Sequence, residues 1–190
     1  MKKEVSMPNF VELEENVLKF WQDKKCFDKL VEKNQNKPRY RFLDGPITAN
    51  NNMGIHHAFG RTLKDLYIKY NAMQGKSCYF QNGFDAHGTP VEIAVEKQLG
   101  LNSKKDIAKY GLDNFVEDCM QRVRDCSKLI EKSSIRLGQW MNWDNSYYTN
   151  TDENITAIWK FLQVCNENGW LVKAQKPIQW CPRHQLRDRI

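Results

Sequence analysis

The chain has 190 residues, 41% hydrophobic and 27% charged, with a formal net charge of +6. That length allows one substantial core and one or two domains. No apolar run approaches the roughly 20 residues of a membrane-spanning helix, and the opening Met1-Lys2-Lys3-Glu4 lacks the apolar stretch of a secretory signal, so the expected location is the cytoplasm. The positive charge permits a nucleic-acid partner without establishing one, because acidic residues are interspersed along the chain. Six cysteines, Cys26, Cys78, Cys119, Cys126, Cys165 and Cys181, contain no C-x-x-C pair and read as reduced thiols.

In chain order, Pro8 to Trp21 reads as a helix whose stripe Phe10, Leu13, Val17, Leu18 and Trp21 covers a core, and the polar stretch Lys33 to Pro38 closes this arm. Phe42 and Leu43 then lead as a strand into the break Gly45-Pro46. A helix follows from Ile55, with Ala58, Phe59, Leu63, Leu66, Ile68 and Tyr70 at helical spacing up to Gly75. This order sets His56 and His57 at a helix N-terminus, where unpaired N–H groups and a partial positive charge suit phosphate. For the histidine pair alone, a capped helix with surface histidines is the favoured reading.

A second strand-like run, Ser77 to Gln81, precedes the polar loop Gly83-Phe84-Asp85-Ala86-His87-Gly88-Thr89-Pro90-Val91-Glu92. Strand, loop, helix, strand, loop, helix is the start of a parallel βαβ sheet with ligands at the strands' carboxyl ends. No G-x-G-x-x-G and no P-loop pattern occurs. Past Glu92 the chain reads as mostly helical. Ser103 with Asp106 is a helix start of capping-box type. Leu112, Phe115, Val116, Cys119, Met120, Val123, Cys126 and Ile130 form one packing stripe, and Ile155, Ile158, Trp159, Leu162 and Cys165 form another.

These motifs together resemble the class I aminoacyl-tRNA synthetases, and within them the isoleucyl-tRNA synthetases. Gly45-Pro46-Ile47-Thr48-Ala49-Asn50 is similar to the family's G-P-P-T-A-N loop. Arg61-Thr62-Leu63-Lys64-Asp65 with Tyr70, Met73, Gln74 and Gly75 is similar to the helix after its H-I-G-H box. Gly83 to Glu92 resembles the isoleucine enzymes' G-W-D-x-H-G-L-P-V-E, and Lys104-Lys105-Asp106-Ile107, Arg136-Leu137-Gly138, Trp143-Asp144 and Trp180-Cys181-Pro182-Arg183 extend the likeness over nearly the whole chain. The implied fold is α/β: the first half of a class I synthetase Rossmann-like nucleotide-binding fold, with a parallel sheet, an N-terminal helical arm and added helices. The implied organisation is an arm over 1–37, the half-domain over 38–175, and over 176–190 the start of a connection to an absent editing insertion.

The implied reaction is ATP-dependent activation of isoleucine to its adenylate, followed by transfer to tRNA(Ile). His57 and His56 are the expected catalytic phosphate donors, and Thr48, Asn50, Gly54, His56 and His57 the expected ATP contacts. Gly45, Pro46, Phe84, Asp85 and His87 are the expected amino-acid contacts, with Asp85 as a loop carboxylate facing the substrate ammonium. Mg²⁺ is expected with the nucleotide. One departure stands out: Gly54-Ile55-His56-His57 has glycine where the box has its first histidine and histidine where it has glycine. This form is read as a variant rather than a dead site, with two readings open: His56 takes over a phosphate contact, or its ring obstructs the base. Cys181 and His184 supply half of a zinc site, and two ligands do not make a site, so a free thiol is preferred. No K-M-S-K-S run occurs. The resemblance thus leaves three explanations open: a fragment of a longer enzyme, a segment completed by a second chain carrying the editing, K-M-S-K-S and anticodon-binding parts, or a non-catalytic nucleotide- or tRNA-binding remnant; a segment of another class I synthetase is the further alternative.

Overall fold

The computed structural model describes residues 7–42, 44–181 and 186–187, with the backbone alone for residues 181, 186 and 187. The chain divides into two compact units, Met1–Thr151 and Asp152–Ile190. Among the described residues, no helix is long and apolar enough to cross a membrane.

The first unit opens with helices α1 (Phe10–Asp23) and α2 (Cys26–Asn34). Asn9 starts α1 by accepting the N–H of Glu12 on its side chain. The expectation that α1 covers a core needs correction, since none of its residues is buried. It is held at its end instead. Trp21 meets Trp140 edge to face at 5.1 Å, Lys69 Nζ lies 4.9 and 4.7 Å from the centres of these two rings, and Arg136 donates to Glu14 at 2.9 Å.

Two stretches of chain then pair twice in parallel. Strand β1 (Arg39–Tyr40) pairs with β3 (Ser77–Cys78), and β2 (Ile47–Thr48) pairs with β4 (Gln81–Asp85). Pro46, which has no N–H to give a ladder, falls in the gap between β1 and β2. Helix α3 (Ile55–Met73) makes the crossover that parallel strands require. A third strand, β5 (Asn142–Tyr148), adds in parallel to β4, so the larger sheet has the order β2-β4-β5.

Two details differ from the sequence reading. Gly83-Phe84-Asp85, read as loop, is the end of β4: a strand covered on both faces needs no apolar alternation, and here Asn82, Gly83 and Phe84 are all buried. The strand foreseen at Phe42 lies instead at Arg39–Tyr40, while Phe42 packs against a core cluster with Ile68, Ala72, Phe80 and Met141.

Beyond β4, Gly88 turns the chain with φ of +94°, a conformation that favours glycine, and α4 (Thr89–Leu99) starts with Pro90 in its first turn. Helix α5 (Lys104–Tyr110) has the foreseen capping arrangement. The Asp106 N–H donates to Ser103 Oγ at 3.3 Å, and Ser103 Oγ–H donates to Asp106 Oδ2 at 2.8 Å, which lowers the pKa of that carboxyl group. Helix α6 (Leu112–Arg136) buries Phe115, Val123, Cys126 and Ile130 but leaves Leu112, Val116 and Met120 of the predicted stripe exposed. Val123, Cys126 and Ile130 join Ala49, Phe84, Ala86 and Val91 in the core of the sheet's carboxyl half.

The second unit consists of α7 (Asp152–Glu167), an irregular stretch, and the antiparallel pair β6 (Trp180–Cys181) and β7 (Leu186–Arg187). The stripe foreseen on α7 is not a buried one: the helix buries no residue, and Ile155, Ile158 and Trp159 are exposed.

The pairing of β4 with β5 leaves one tight approach. A Cβ on Gly83 would lie 2.2 Å from Cε1 of Tyr147, so the phenol ring uses the space that glycine leaves open. Gly83→Ala should therefore destabilise the first unit by about 1–3 kcal/mol, the usual cost of overpacking. Urea midpoints check this. Gly83→Ala combined with Tyr147→Ala should recover part of the loss, and additive losses in the double variant would contradict the proposed steric cause.

Candidate nucleotide and amino-acid site

Because β2, β4 and β5 run parallel, their carboxyl ends reach one edge of the sheet. Thr48 lies opposite Asp85 in register, and Thr149 follows the end of β5. Their side chains converge. Thr48 Oγ1–H donates to Asp85 Oδ2 at 2.8 Å, and Thr149 Oγ1 lies 3.4 Å from Asp85 Oδ1. Thr149 Oγ1 also accepts the N–H of Ala86 at 2.9 Å and sits 2.7 Å from His87 Nδ1. Asp85 is therefore an oriented carboxylate at a strand end rather than a free loop carboxylate, and with 34% of its side chain exposed it still faces solvent. The His87 ring is 64% exposed.

The Gly45-Pro46 turn is tied down from two sides. Lys64 of α3 pairs with the Asp44 carboxylate and reaches the Gly45 carbonyl at 3.4 Å, while the Tyr147 hydroxyl donates to the Asp44 carbonyl at 3.4 Å. Burial, with Asp44 and Asp85 nearby, pushes the Tyr147 phenol up from its ordinary value, which keeps it a proton donor. Asn50 is not free to turn towards a ligand without cost, because its Oδ1 accepts from Arg122 Nε of α6 at 3.0 Å.

Helix α3 begins on the same edge, just after β2. His57 Nδ1 accepts the N–H of Gly54 at 3.2 Å, closing the first turn. That bond leaves Nδ1 without a proton, so the neutral ring carries its proton on Nε2. Burial, then His56, then Arg61 lower the His57 pKa from the ordinary 6.5, favouring the neutral ring. The rings of His56 and His57 lie 3.8 Å apart, tilted by 43°. A Cβ at position 54 would fall 2.9 Å from His56 Cε1 and 3.1 Å from its Nδ1. The imidazole of His56 thus occupies the space where a side chain at 54 would start, which is the physical content of the exchanged glycine and histidine.

The structure brings Thr48, Asp85 and His87 into one bonded cluster and places His56 and His57 together at the helix start. Phe84 is instead fully buried in the core, against Tyr148 at 5.2 Å. Thr149 and Tyr147 were missed by sequence reasoning. The β-favouring run Ser146-Tyr147-Tyr148-Thr149, ahead of the helix-opening Asp152-Glu153, was the available signal. His184 and the side chain of Cys181 lie outside the described residues. Among the described residues, no group of three or more His, Cys, Asp or Glu is placed to hold a metal ion.

Comparison with known proteins agrees with this architecture. The family model for tRNA synthetases class I (I, L, M and V) matches residues 16–186. An isoleucine–tRNA ligase of Thermus thermophilus is 40% identical over 96% of this chain and 18% of that protein. The isoleucine–tRNA ligases of Pyrococcus horikoshii and Clostridium novyi are 37% and 36% identical over 90% and 92% of the chain, and 16% and 17% of their own lengths. The chain therefore spans less than a fifth of the length of these curated relatives. Among solved structures, the ternary complex of Agrobacterium radiobacter K84 agnB2 LeuRS-tRNA-LeuAMS superposes with a TM-score of 0.63 at 17% identity, over 90% of this chain and 19% of that one, a likeness of fold alone. The parallel sheet with its crossover helices is part of a Rossmann-like synthetase fold, and the chain belongs to the class I tRNA synthetases of the isoleucine, leucine, methionine and valine group.

Proposed function

We propose that this chain forms the part of an isoleucine–tRNA ligase that holds isoleucine and the phosphates of ATP during adenylate formation, acting together with the further parts that its relatives carry beyond the span it covers. The observation that carries this reading is the Asp85 carboxylate, oriented by Thr48 and Thr149 at the sheet edge where α3 presents His57. A fixed, partly exposed anion suits the ammonium group of an amino acid. The isoleucine carboxylate oxygen then bonds to the α-phosphorus of ATP, and pyrophosphate leaves with the electron pair of the broken P–O bond.

In such a displacement, the protein's part is positioning and neutralising charge rather than supplying a nucleophile. His57, with its proton on Nε2, donates to a phosphate oxygen, and His56, in the space above Gly54, supplies the second donor. Gly54 and the turn through Thr48 and Asn50 border the same nucleotide, and the Gly45-Pro46 turn with His87 flanks the amino acid. Mg²⁺ bound to ATP phosphates would supply further charge neutralisation, its usual mode of binding to proteins. The second substrate is tRNA(Ile), to whose terminal ribose the isoleucyl group passes.

ATP–pyrophosphate exchange, run with each amino acid on the chain alone and on a full-length form reconstituted around it, tests this function. Isoleucine-dependent exchange in the full-length form is the expected result, and no exchange with any amino acid would overturn the reading. In that form, His57→Ala should slow exchange by about 100-fold, the scale of one lost transition-state donor, with isoleucine affinity nearly unchanged. Asp85→Asn should act the other way, weakening isoleucine binding by about 10- to 100-fold through loss of a charge-assisted contact, as equilibrium dialysis would read.

The depressed His57 pKa also sets a pH dependence. The unfolded chain takes up this proton at the ordinary 6.5 and the folded chain only at lower pH, so stability falls as pH drops below about 6.5 towards the folded-state value. A His57 ring titration by NMR should have its midpoint below 6.5, and His57→Gln should flatten that part of the stability profile. A midpoint at or above the ordinary value would contradict the burial of the ring and its setting beside His56 and Arg61.

A further inference from the structure

Between α4, α5 and α6 lies a cavity of about 670 Å³ that borders the proposed amino-acid site at His87, while Asp85, His56 and His57 do not line it. Its size is that of a small-molecule site. Ile107 of α5 and Phe115, Val116 and Met120 of α6 give it an apolar floor, part of which is open to solvent: Val116 is 47% and Met120 40% exposed. Helix α4 contributes Glu92 and Glu96, one turn apart. Neither carboxylate has an ion pair or a side-chain hydrogen bond among the described residues. Lys104 is the cation on the lining, so its charged groups carry an excess of one negative charge. The field is felt within the cavity: burial first, then Glu92, Asp118 and Glu96, push the Cys119 thiol up to about 11.

An apolar floor beside two unpaired carboxylates complements a ligand with a hydrocarbon body and one positive head. We propose that this cavity binds a small organic amine, its aromatic or branched body lying on Phe115, Val116 and Met120 and its ammonium group held between Glu92 and Glu96. An anion of the same shape meets repulsion there, and a neutral analogue gains the apolar contacts alone. The site adjoins the proposed amino-acid site through His87 but takes its ammonium group at Glu92 and Glu96 rather than at Asp85, and the substitution of those two carboxylates tells the two positions apart.

The test follows the methyl resonance of Met120 in the whole 190-residue chain during titration with phenethylamine, phenethyl alcohol and 3-phenylpropionate. Phenethylamine should shift the resonance with an affinity about tenfold above that of the alcohol, as one charge-assisted contact provides. 3-Phenylpropionate should be the weakest of the three. Replacing both carboxylates, Glu92→Gln with Glu96→Gln, should bring the amine down to the alcohol, with circular dichroism confirming that the helices persist. Ala108→Trp, which fills the lining, should abolish the shift by all three. No shift with phenethylamine, equal affinity for the anion, or amine binding unaffected by the paired Gln substitutions would each overturn the proposal. If the Gln variant fails to fold, the ranking of the three probes on the unaltered chain decides.

Discussion

The seating of α3 against the sheet depends on one buried cation. Arg61, 4% exposed, lies on α3 one helical turn after His57 and donates to Asn82 of β4 at 3.2 Å and to Gln139, just beyond α6, at 3.1 Å. Asn82 in turn donates to Ser146 of β5 at 3.1 Å. A guanidinium away from water is costly unless its donors are satisfied, so the helix cannot rotate without breaking this chain of bonds. Because residues four apart share a helix face, fixing Arg61 against β4 also fixes where His57 points. The same charge helps to keep His57 neutral. Asp65, a further turn along, accepts the N–H of Trp140 at 3.0 Å and pairs with Lys69 at 2.6 Å, so the inward face of α3 is held largely by polar groups.

That polarity explains why the apolar periodicity of α3 marks its helix without marking its buried face. Ile55, Phe59, Leu63, Leu66, Tyr70 and Met73 form a stripe, and all are exposed, whereas Arg61, Asp65, Ile68, Asn71 and Ala72 face the sheet. Periodicity records that a helix has two faces, and it does not record which face meets the elements present in a given stretch of chain. The same holds for α1 and α7. In relatives more than five times as long, such stripes have much more polypeptide available to cover them.

The site was legible where its residues sit at element boundaries. The Gly-Pro break, the paired histidines at a helix start and Gly88 before α4 are local signals, and each corresponds to a local backbone requirement. Asp85 was found through motif likeness, but its setting was not, because a strand built from Gln81-Asn82-Gly83-Phe84-Asp85 has no pattern of its own and exists by pairing on both sides. Tyr147 lies on β5 and Thr149 just past its end, more than 60 residues from the groups they meet, and they acquire their roles through that strand's pairing. Long-range partners of this kind leave no trace in local spacing.

The crowding between positions 54 and 56 bears on how such a site changes over evolutionary time. One volume at the start of α3 admits either a side chain at 54 or the folded-back imidazole of His56, since the two approach within 2.9 Å. Starting from this chain, a histidine gained at 54 requires the exposed His56 ring to swing aside, while a glycine gained at 56 frees that volume. The glycine and the histidine of this box therefore share one small volume, and a change at either position alters the room available to the other.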